Sequence, residues 1–490
     1  MNKLKHIIFL LIILILVLPV LQKQFEIFKI QPLKGAFTNT EKSKLSASSW
    51  FNGSFQNNYN NYLEENIGFR NMLVRINNQI DFSLFNQANA NRIIVGKNRQ
   101  MYDERYIDAY FGNDYLWDDF YLKKLRKLKC LQDTLKKLEI DLIIIYEPGK
   151  ARIVKNAIPD RYFKFPKKLS SYEYIIEKSD SLNIDYINFN TYFEKVGDTT
   201  SIPLYPEYGI HWNSYCVCLT ADSLVRYIEK LRGIELPDFV WDTIEYSGKL
   251  RNQDYDIGES MNLLWETDHL QMPYPVIKIQ DVPDSLKPKV LIVADSYYFN
   301  ILYEQIPNKI FDNEFWYYNQ TRYINGKKQD SKVEDLKLQE EIENKDFILF
   351  MTTELTHYDF GWSFIENAYD VYFPSDKETK FYKTIRSILR NRKLLKPLKE
   401  DAKLENTNIK DKVNRHAEYL FQKKNDRNDL EKSDFIKYVE ISIRNSKEFL
   451  PKCEEKARKR NITLEEMIHL DAVWTYEEYL KKKKIQNSVK

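Results

Sequence analysis

The sequence predicts an α/β protein, a layered fold with a parallel central sheet flanked by helices. Two observations carry that expectation. Nearly unbroken apolar runs at 141 to 148, 289 to 295 and 346 to 352 have the make-up of strands covered on both faces. Helical patterns alternate with strand patterns, as in βα layered sheets.

Each element follows in order. Ile7 to Leu21 is an apolar run broken only by Pro19, preceded by Lys3 and Lys5. It is short for a hydrocarbon core of ~30 Å, so Gln22 and its neighbours have to extend it. A charged start with a short greasy run also describes a signal peptide, but Leu-Gln-Lys-Gln follows with no small-x-small cleavage site. An uncleaved anchor over 1–22 is therefore expected, with the remainder outside the cytoplasm. Residues 23–58 read as a polar, Asn/Ser-rich linker. A helical pattern runs from Tyr59 to Phe85, and Ile93, Ile94 and Val95 before Gly96 read as a short strand and turn.

Asp119 to Glu139 carries a leucine stripe at 122, 125, 128, 131, 135 and 138. Strands are expected at 141–148, 184–189, 289–295, 315–319 and 346–352. Helices are expected near 170–182 and 213–231, from about Tyr298, and at 332–343. The α/β domain spans 59–376. Beyond it, 377–490 is rich in Lys, Arg, Glu and Asp, and is expected to be a charged helical extension. Within it Thr463-Leu-Glu-Glu466 is a capping box.

Composition narrows the function. The 490 residues carry 74 basic and 71 acidic side chains, a net charge of +3, which gives no basic face for nucleic acid. Aromatic content is 14%, suited to a thick core or a saccharide-binding surface. The four cysteines lack zinc-site spacing, and Cys216 and Cys218 stand too near each other for an ordinary bridge. No GxGxxG, P-loop or HExxH is present. The DYDIGES run, with Asp254, Asp256 and Glu259, lacks the pattern of a calcium loop. No metal or cofactor is expected.

One serine stands out. The run KVLIVAD ends in Asp295-Ser296, where a helix is about to begin. A serine at the C-terminal end of a parallel strand is placed for nucleophilic work, or simply for capping a helix. Its base would be a histidine. Six occur: His6 borders the apolar run, while His416 and His469 fall in the charged extension. That leaves His211, His269 and His357, of which His211 has Trp212 beside it in a loop before a helix.

Taken together and in order, six stretches resemble the alginate O-acetyltransferase-like proteins (AlgX/AlgJ type), a branch of the SGNH hydrolase superfamily. They are NIGFRNMLVR with Gly68, Phe69 and Arg70; VGKNRQMYD with Gly96, Lys97 and Tyr102; IIIYEPGKARI with Pro148 and Lys150; GIHWN; VLIVADSYY; and DFILFMTTE. The resemblance covers roughly residues 50 to 370, and the histidine block precedes the serine block, as in that family.

The resemblance implies an SGNH-like fold and O-acetylation of an exported or cell-surface polysaccharide. Ser296 would be the nucleophile, His211 the general base and Asp295 a supporting residue, with the N–H groups near Ser296 and Tyr297 as the oxyanion hole. The acetyl group would come from a membrane-bound O-acyltransferase partner, and the domain would sit in the periplasm on a single-pass inner-membrane anchor. Trp212, Trp316 and Tyr317 are candidates for a sugar platform.

Two positions depart from the pattern. Gly209 stands where the family has an acid two residues before the histidine, and Ala294 replaces the glycine before Asp295. Glu207, Asp254 or Asp256 would have to supply the acid through space. A non-catalytic saccharide-binding or assembly protein and an esterase of the same fold are the competing expectations.

Overall fold

In the computed structural model the described residues are 2–35, 41–280, 282–374, 380–405, 407–424, 436, 439–440, 442–444, 446, 449–460 and 462–488. Among these residues there are eleven strands: β1 (Ile93–Val95), β2 (Met101–Asp103), β3 (Asp141–Glu147), β4 (Tyr186–Asn188), β5 (Phe239–Ser247), β6 (Met272–Ile279), β7 (Lys289–Ala294), β8 (Asp312–Tyr317), β9 (Thr321–Ile324), β10 (Lys327–Lys332) and β11 (Phe347–Thr353). Seven of them form one sheet in the order β10-β9-β8-β7-β11-β3-β4. The five from β8 to β4 are parallel, and β9 and β10 add an antiparallel edge, so the sheet is mixed.

The apolar runs become central strands because each residue type suits whichever face it meets. Side chains alternate across a strand. Ile143 and Ile145 of β3, Val290 and Ile292 of β7, and Leu349 and Met351 of β11 enter one core. Leu142 and Ile144, Leu291 and Val293, and Ile348 and Phe350 enter the other. The first face is covered by Glu104–Tyr110, Phe189–Thr199, Ser214–Arg232 and Tyr297–Tyr303, and the second by Asp118–Lys137, Ser171–Ser181 and Phe364–Tyr372. The result is three layers, α/β/α.

The leucine stripe behaves as expected: Leu125, Leu128, Leu131 and Leu135 are buried on the helix Asp118–Lys137. Other expectations shift. The helix foreseen from Tyr59 to Phe85 is two, Ser54–Asn66 and Arg70–Phe85, parted at Gly68. The stretch before β7 holds an antiparallel ribbon, β5 with β6, where no strand was expected. The charged helix at 332–343 gives way to β10, a single 3₁₀ turn and the short helix Leu338–Glu343.

The extension is helical among its described residues, but its first part is not a free arm. Phe381, Ile385, Ile388, Leu389, Leu395, Val413 and Ala417 are buried in the second core. Arg390 pairs with Asp359 at 2.7 Å and Lys410 with Asp119 at 3.0 Å. The helices Phe449–Arg460 and Leu464–Ser488 form a small cluster of their own around Cys453, Met467 and Ile468. Thr463 and Glu466 close the capping box, with Thr463 N–H on Glu466 at 2.8 Å and Glu466 N–H on Thr463 Oγ1 at 3.2 Å.

At the other end, the helix Asn2–Phe25 contains a 22-residue stretch, Leu4–Phe25, long and apolar enough to cross a membrane. The linker after it is laced to the domain. Lys34 N–H donates to Asn262 Oδ1 at 2.7 Å, Asn262 Nδ2 returns a bond to Lys34 O at 2.9 Å, and Lys34 pairs with Glu259.

Candidate active site

The C-terminal ends of β3, β7 and β11 lie side by side, and there the chain turns toward helices or loops. Open α/β sheets bind ligands at that edge. Strand β7 ends at Ala294, Asp295 and Ser296 form the turn, and the helix Tyr297–Tyr303 follows. Ser296 caps nothing with its side chain, which leaves its Oγ free for another partner.

That partner is His211. Its Nε2 lies 2.8 Å from Ser296 Oγ, and its Nδ1 lies 2.8 Å from Asp256 Oδ2. A hydroxyl, an imidazole and a carboxylate in that order can pass the hydroxyl proton to the ring while the carboxylate fixes the tautomer and steadies the imidazolium. His211 is buried, Asp256 and Ser296 are partly open, and the proton path therefore begins at solvent and ends in a sheltered ring.

Three segments hold this arrangement. Both neighbours of His211 are tied to the helix after Ser296: Tyr297 Oη donates to Ile210 O at 3.0 Å, Trp212 Nε1 donates to Tyr297 O at 3.2 Å, and Asn300 Nδ2 donates to Trp212 O at 2.7 Å. Asn213 then caps the helix Ser214–Arg232 through Cys216 N–H. Asp256 Oδ1 accepts the N–H of Ile210 at 2.9 Å and of Ile257 at 2.7 Å, so one carboxylate grips the backbone before the ring and the ring itself.

Under the loop lies Lys150. Its ammonium is buried and donates to the carbonyls of Pro206, Glu207 and Gly209 at 2.6, 2.9 and 2.9 Å. Three acceptors match its three N–H groups. Burial pulls it down to about 7, against the opposing pull of Asp256 and Glu207.

Asp295 supports the turn. Its Oδ1 accepts Tyr297 N–H at 3.0 Å, and its Oδ2 accepts Thr353 N–H at 3.0 Å and Thr353 Oγ1 at 2.7 Å, which ties β7 to the end of β11. Burial raises its carboxyl above the ordinary range, against those hydrogen bonds.

Several expected residues stand elsewhere. The carboxylate on His211 is Asp256. Glu207 turns away, its Oε2 accepting Leu270 N–H at 2.7 Å. Asp254 is engaged by Tyr274 Oη at 2.6 Å, and burial pushes it up to about 6. Tyr297 N–H is already bonded to Asp295, so it does not face an incoming oxyanion. Trp212 and Trp316 are fully buried, the first in one core and the second in the other with its Nε1 on Glu314 at 2.8 Å. Neither ring offers a face to a sugar. Tyr317 is half-buried against Phe299, Phe315 and Tyr318.

Of the other histidines, His269 is bonded to Glu266 at 3.2 Å at the surface. His357 is buried between the rings of Tyr146 and Phe360, with no hydrogen-bond partner on either nitrogen among the described residues.

Gly209 explains where the acid went. A Cβ there would meet Pro206 Cγ at 2.5 Å and the carbonyl oxygens of Gln253 and Asp254 at 3.0 Å. The segment that delivers Asp256 occupies the space a side chain at 209 would need.

Tyr318 went unnoticed in the sequence. Its N–H donates to Ala294 O at 2.9 Å, and burial together with the nearby Asp295 carboxylate holds its hydroxyl well above the usual phenol range. Its φ of 50° is unusual for a tyrosine, and it follows from the reversal between β8 and β9. Among the described residues no group of three or more His, Cys, Asp or Glu side chains could hold a metal ion.

No protein-family model and no curated protein matches the sequence. Solved structures similar to the chain include the O-acetyltransferase domain of Pseudomonas putida AlgJ, at 12% identity over 57% of this chain and 99% of that one, with a TM-score of 0.38. Pseudomonas aeruginosa AlgX matches at 14% identity over 59% of this chain and 69% of that one, with a TM-score of 0.41. Bacillus cereus PatB1 matches at 11% identity over 54% of this chain and 96% of that one, with a TM-score of 0.35.

Proposed function

We propose that this chain is an O-acetyltransferase acting on an exported or cell-surface polysaccharide through an acetyl-serine. The observation that carries the proposal is the continuous line Ser296 Oγ, His211 Nε2, His211 Nδ1, Asp256 Oδ2, with 2.8 Å at each hydrogen bond. Residues 211, 256 and 296 come from separate segments, and only catalysis or a comparably demanding role asks for such an alignment.

In the first half-reaction Ser296 Oγ attacks the acetyl carbonyl of the donor and its proton passes to His211 Nε2. The tetrahedral oxyanion falls to the Ser296 N–H. Collapse expels the donor's leaving group, which takes the proton back from His211, and leaves the acetyl ester on Ser296. In the second half, His211 removes the proton of a sugar hydroxyl, whose oxygen attacks the ester. Serine leaves with the proton, and the sugar carries the acetyl group. Water in place of the sugar would make the same site an esterase.

The membrane reading rests on the exposed apolar helix Leu4–Phe25. It supports a single-pass inner-membrane protein with its domain in the periplasm, where a membrane-bound O-acyltransferase partner would hand over acetyl groups.

The test is intact-mass analysis after incubation with p-nitrophenyl acetate. The wild type should gain one acetyl group with a burst of nitrophenol, Ser296→Ala should gain none, and an oligosaccharide should discharge the adduct faster than water does. A wild type that never acetylates with p-nitrophenyl acetate or with an acetylated partner overturns the proposal in favour of a binding or assembly role.

A further inference from the structure

The end of the apolar helix is docked on the domain rather than joined to it by a loose tether. The turn between the helices Ser54–Asn66 and Arg70–Phe85 lies against it: a Cβ on Gly68 would meet Pro19 O at 2.0 Å and Gln22 Cβ at 2.9 Å, so only glycine lets the two backbones approach. Gln22 is buried there and bonds both the N–H and the carbonyl of Phe28, which folds the chain back at the helix end. The Phe28 ring lies 5.9 Å from that of Phe69, and Lys23 Nζ reaches Asn66 Oδ1 at 3.4 Å.

This contact fixes a depth. A hydrocarbon core of ~30 Å takes up ~20 helical residues, so a span starting at Leu4 reaches the outer boundary near Lys23. Pro19 lies four residues, ~6 Å, inside that boundary. Gly68 touches Pro19, so the turn around it is level with the boundary or below it. Around that turn, among polar neighbours such as Glu64 and Arg70, four apolar side chains face outward: Leu63, Ile67, Met72 and Leu73 are each 42–54% exposed. Exposed apolar groups clustered at the root of a membrane helix are what a shallow interfacial contact requires.

We propose that Leu63, Ile67, Met72 and Leu73 lie in the lipid interface of the bilayer that the N-terminal helix crosses, so that the domain rests on the membrane through a second, non-spanning contact. The proposal rests on the membrane reading above but not on any chemistry at Ser296. Its occupant is lipid because the patch is continuous with the root of the anchor. The contact also reaches the site. The helix Arg70–Phe85 is bonded through Asn78 Nδ2 to Met261 O at 2.8 Å and through Arg75 Nη1 to Leu263 O at 3.2 Å, just beyond the helix Asp256–Ser260 that carries Asp256.

The test uses the full chain in phosphatidylcholine vesicles, with the exposed Cys130 removed as Cys130→Ser. Single cysteines are introduced as Leu73→Cys, as Ile13→Cys within the anchor, and as Leu286→Cys at the opposite, N-terminal edge of the sheet before β7, and each is labelled with the dye NBD. The expected result is blue-shifted emission at 13 and 73, with quenching at 73 strongest for lipids bearing a shallow nitroxide, and watery, unquenched emission at 286. Watery emission at 73 with a quenched label at 13 overturns the proposal and leaves the anchor standing, as it would if a partner protein covered the patch. An unquenched label at 13 overturns the anchor and the contact together.

Discussion

Replacing Asp256 by asparagine tests the site at the carboxylate that orients His211. Asp256 Oδ1 accepts two backbone N–H groups, from Ile210 and Ile257, and those donors need an oxygen. An asparagine at 256 will therefore keep its oxygen there and turn its NH₂ toward His211 Nδ1, 2.8 Å from the present Oδ2. Nδ1 must then accept, the ring proton moves to Nε2, and Nε2 can no longer take the proton of Ser296. The fold and the distances stay, but the tautomer is wrong. Loss of a correctly oriented acid costs about 10⁴-fold in rate, which is ~5.4 kcal/mol of activation free energy. The assay is the rate of the nitrophenol burst by stopped flow, with circular dichroism to show an unchanged fold. A burst within about tenfold of wild type would refute the assignment of the acid, because one decade is only ~1.4 kcal/mol. Glu207→Gln serves as the control and should leave the burst unchanged.

Other outcomes follow from the same geometry. Gly209→Asp, which restores the acid at the place the resemblance leads one to expect, should abolish activity rather than raise it, because its Cβ would strike Pro206 and the 253–254 carbonyls; burst kinetics and a melting curve on the variant decide. Lys150→Met should leave three carbonyls without their donor and destabilise the protein by about 3 kcal/mol or more, read from urea unfolding in detergent.

His357 should confer acid lability. Burial lowers it to about 3, against an ordinary value of ~6.5, so the unfolded chain binds the extra proton between those values. Stability from this group is complete above pH ~6.5 and falls by ~1.4 kcal/mol per unit as pH drops toward 3. His357→Phe should flatten the difference between urea midpoints at pH 7 and 4.5.

Much of this fold was legible in composition. Runs such as LIIIYE and VLIVA have no polar face, so they had to be strands covered twice, and β3, β7 and β11 are covered twice. Serine 296 was legible because a parallel strand ends beside it. The β9–β10 hairpin was missed although its signal is present: Asn325 and Gly326, both at positive φ, are the residues a tight primed turn asks for. The β5–β6 ribbon was harder, since its exposed outer positions and a register shift between Trp241 and Ile244 blur the alternation. Asp256 could be only one of three candidates. What selects it is the packing of its segment against Gly209, a contact between residues far apart in the chain. The tryptophans misled because an aromatic ring serves a core as well as it serves a sugar, and Trp212 and Trp316 serve cores.

The packing of the extension has a consequence for how the molecule is made. The second core is completed by Phe381, Ile385, Leu389, Leu395 and Val413, all encoded after β11 has been synthesised. Until that segment emerges, the outer part of the second core stays open, and a chain released early would carry that apolar surface into solution. Completion of the second core therefore waits for residues 381–417. A nascent chain on its way across a membrane would need its greasy flank shielded until then.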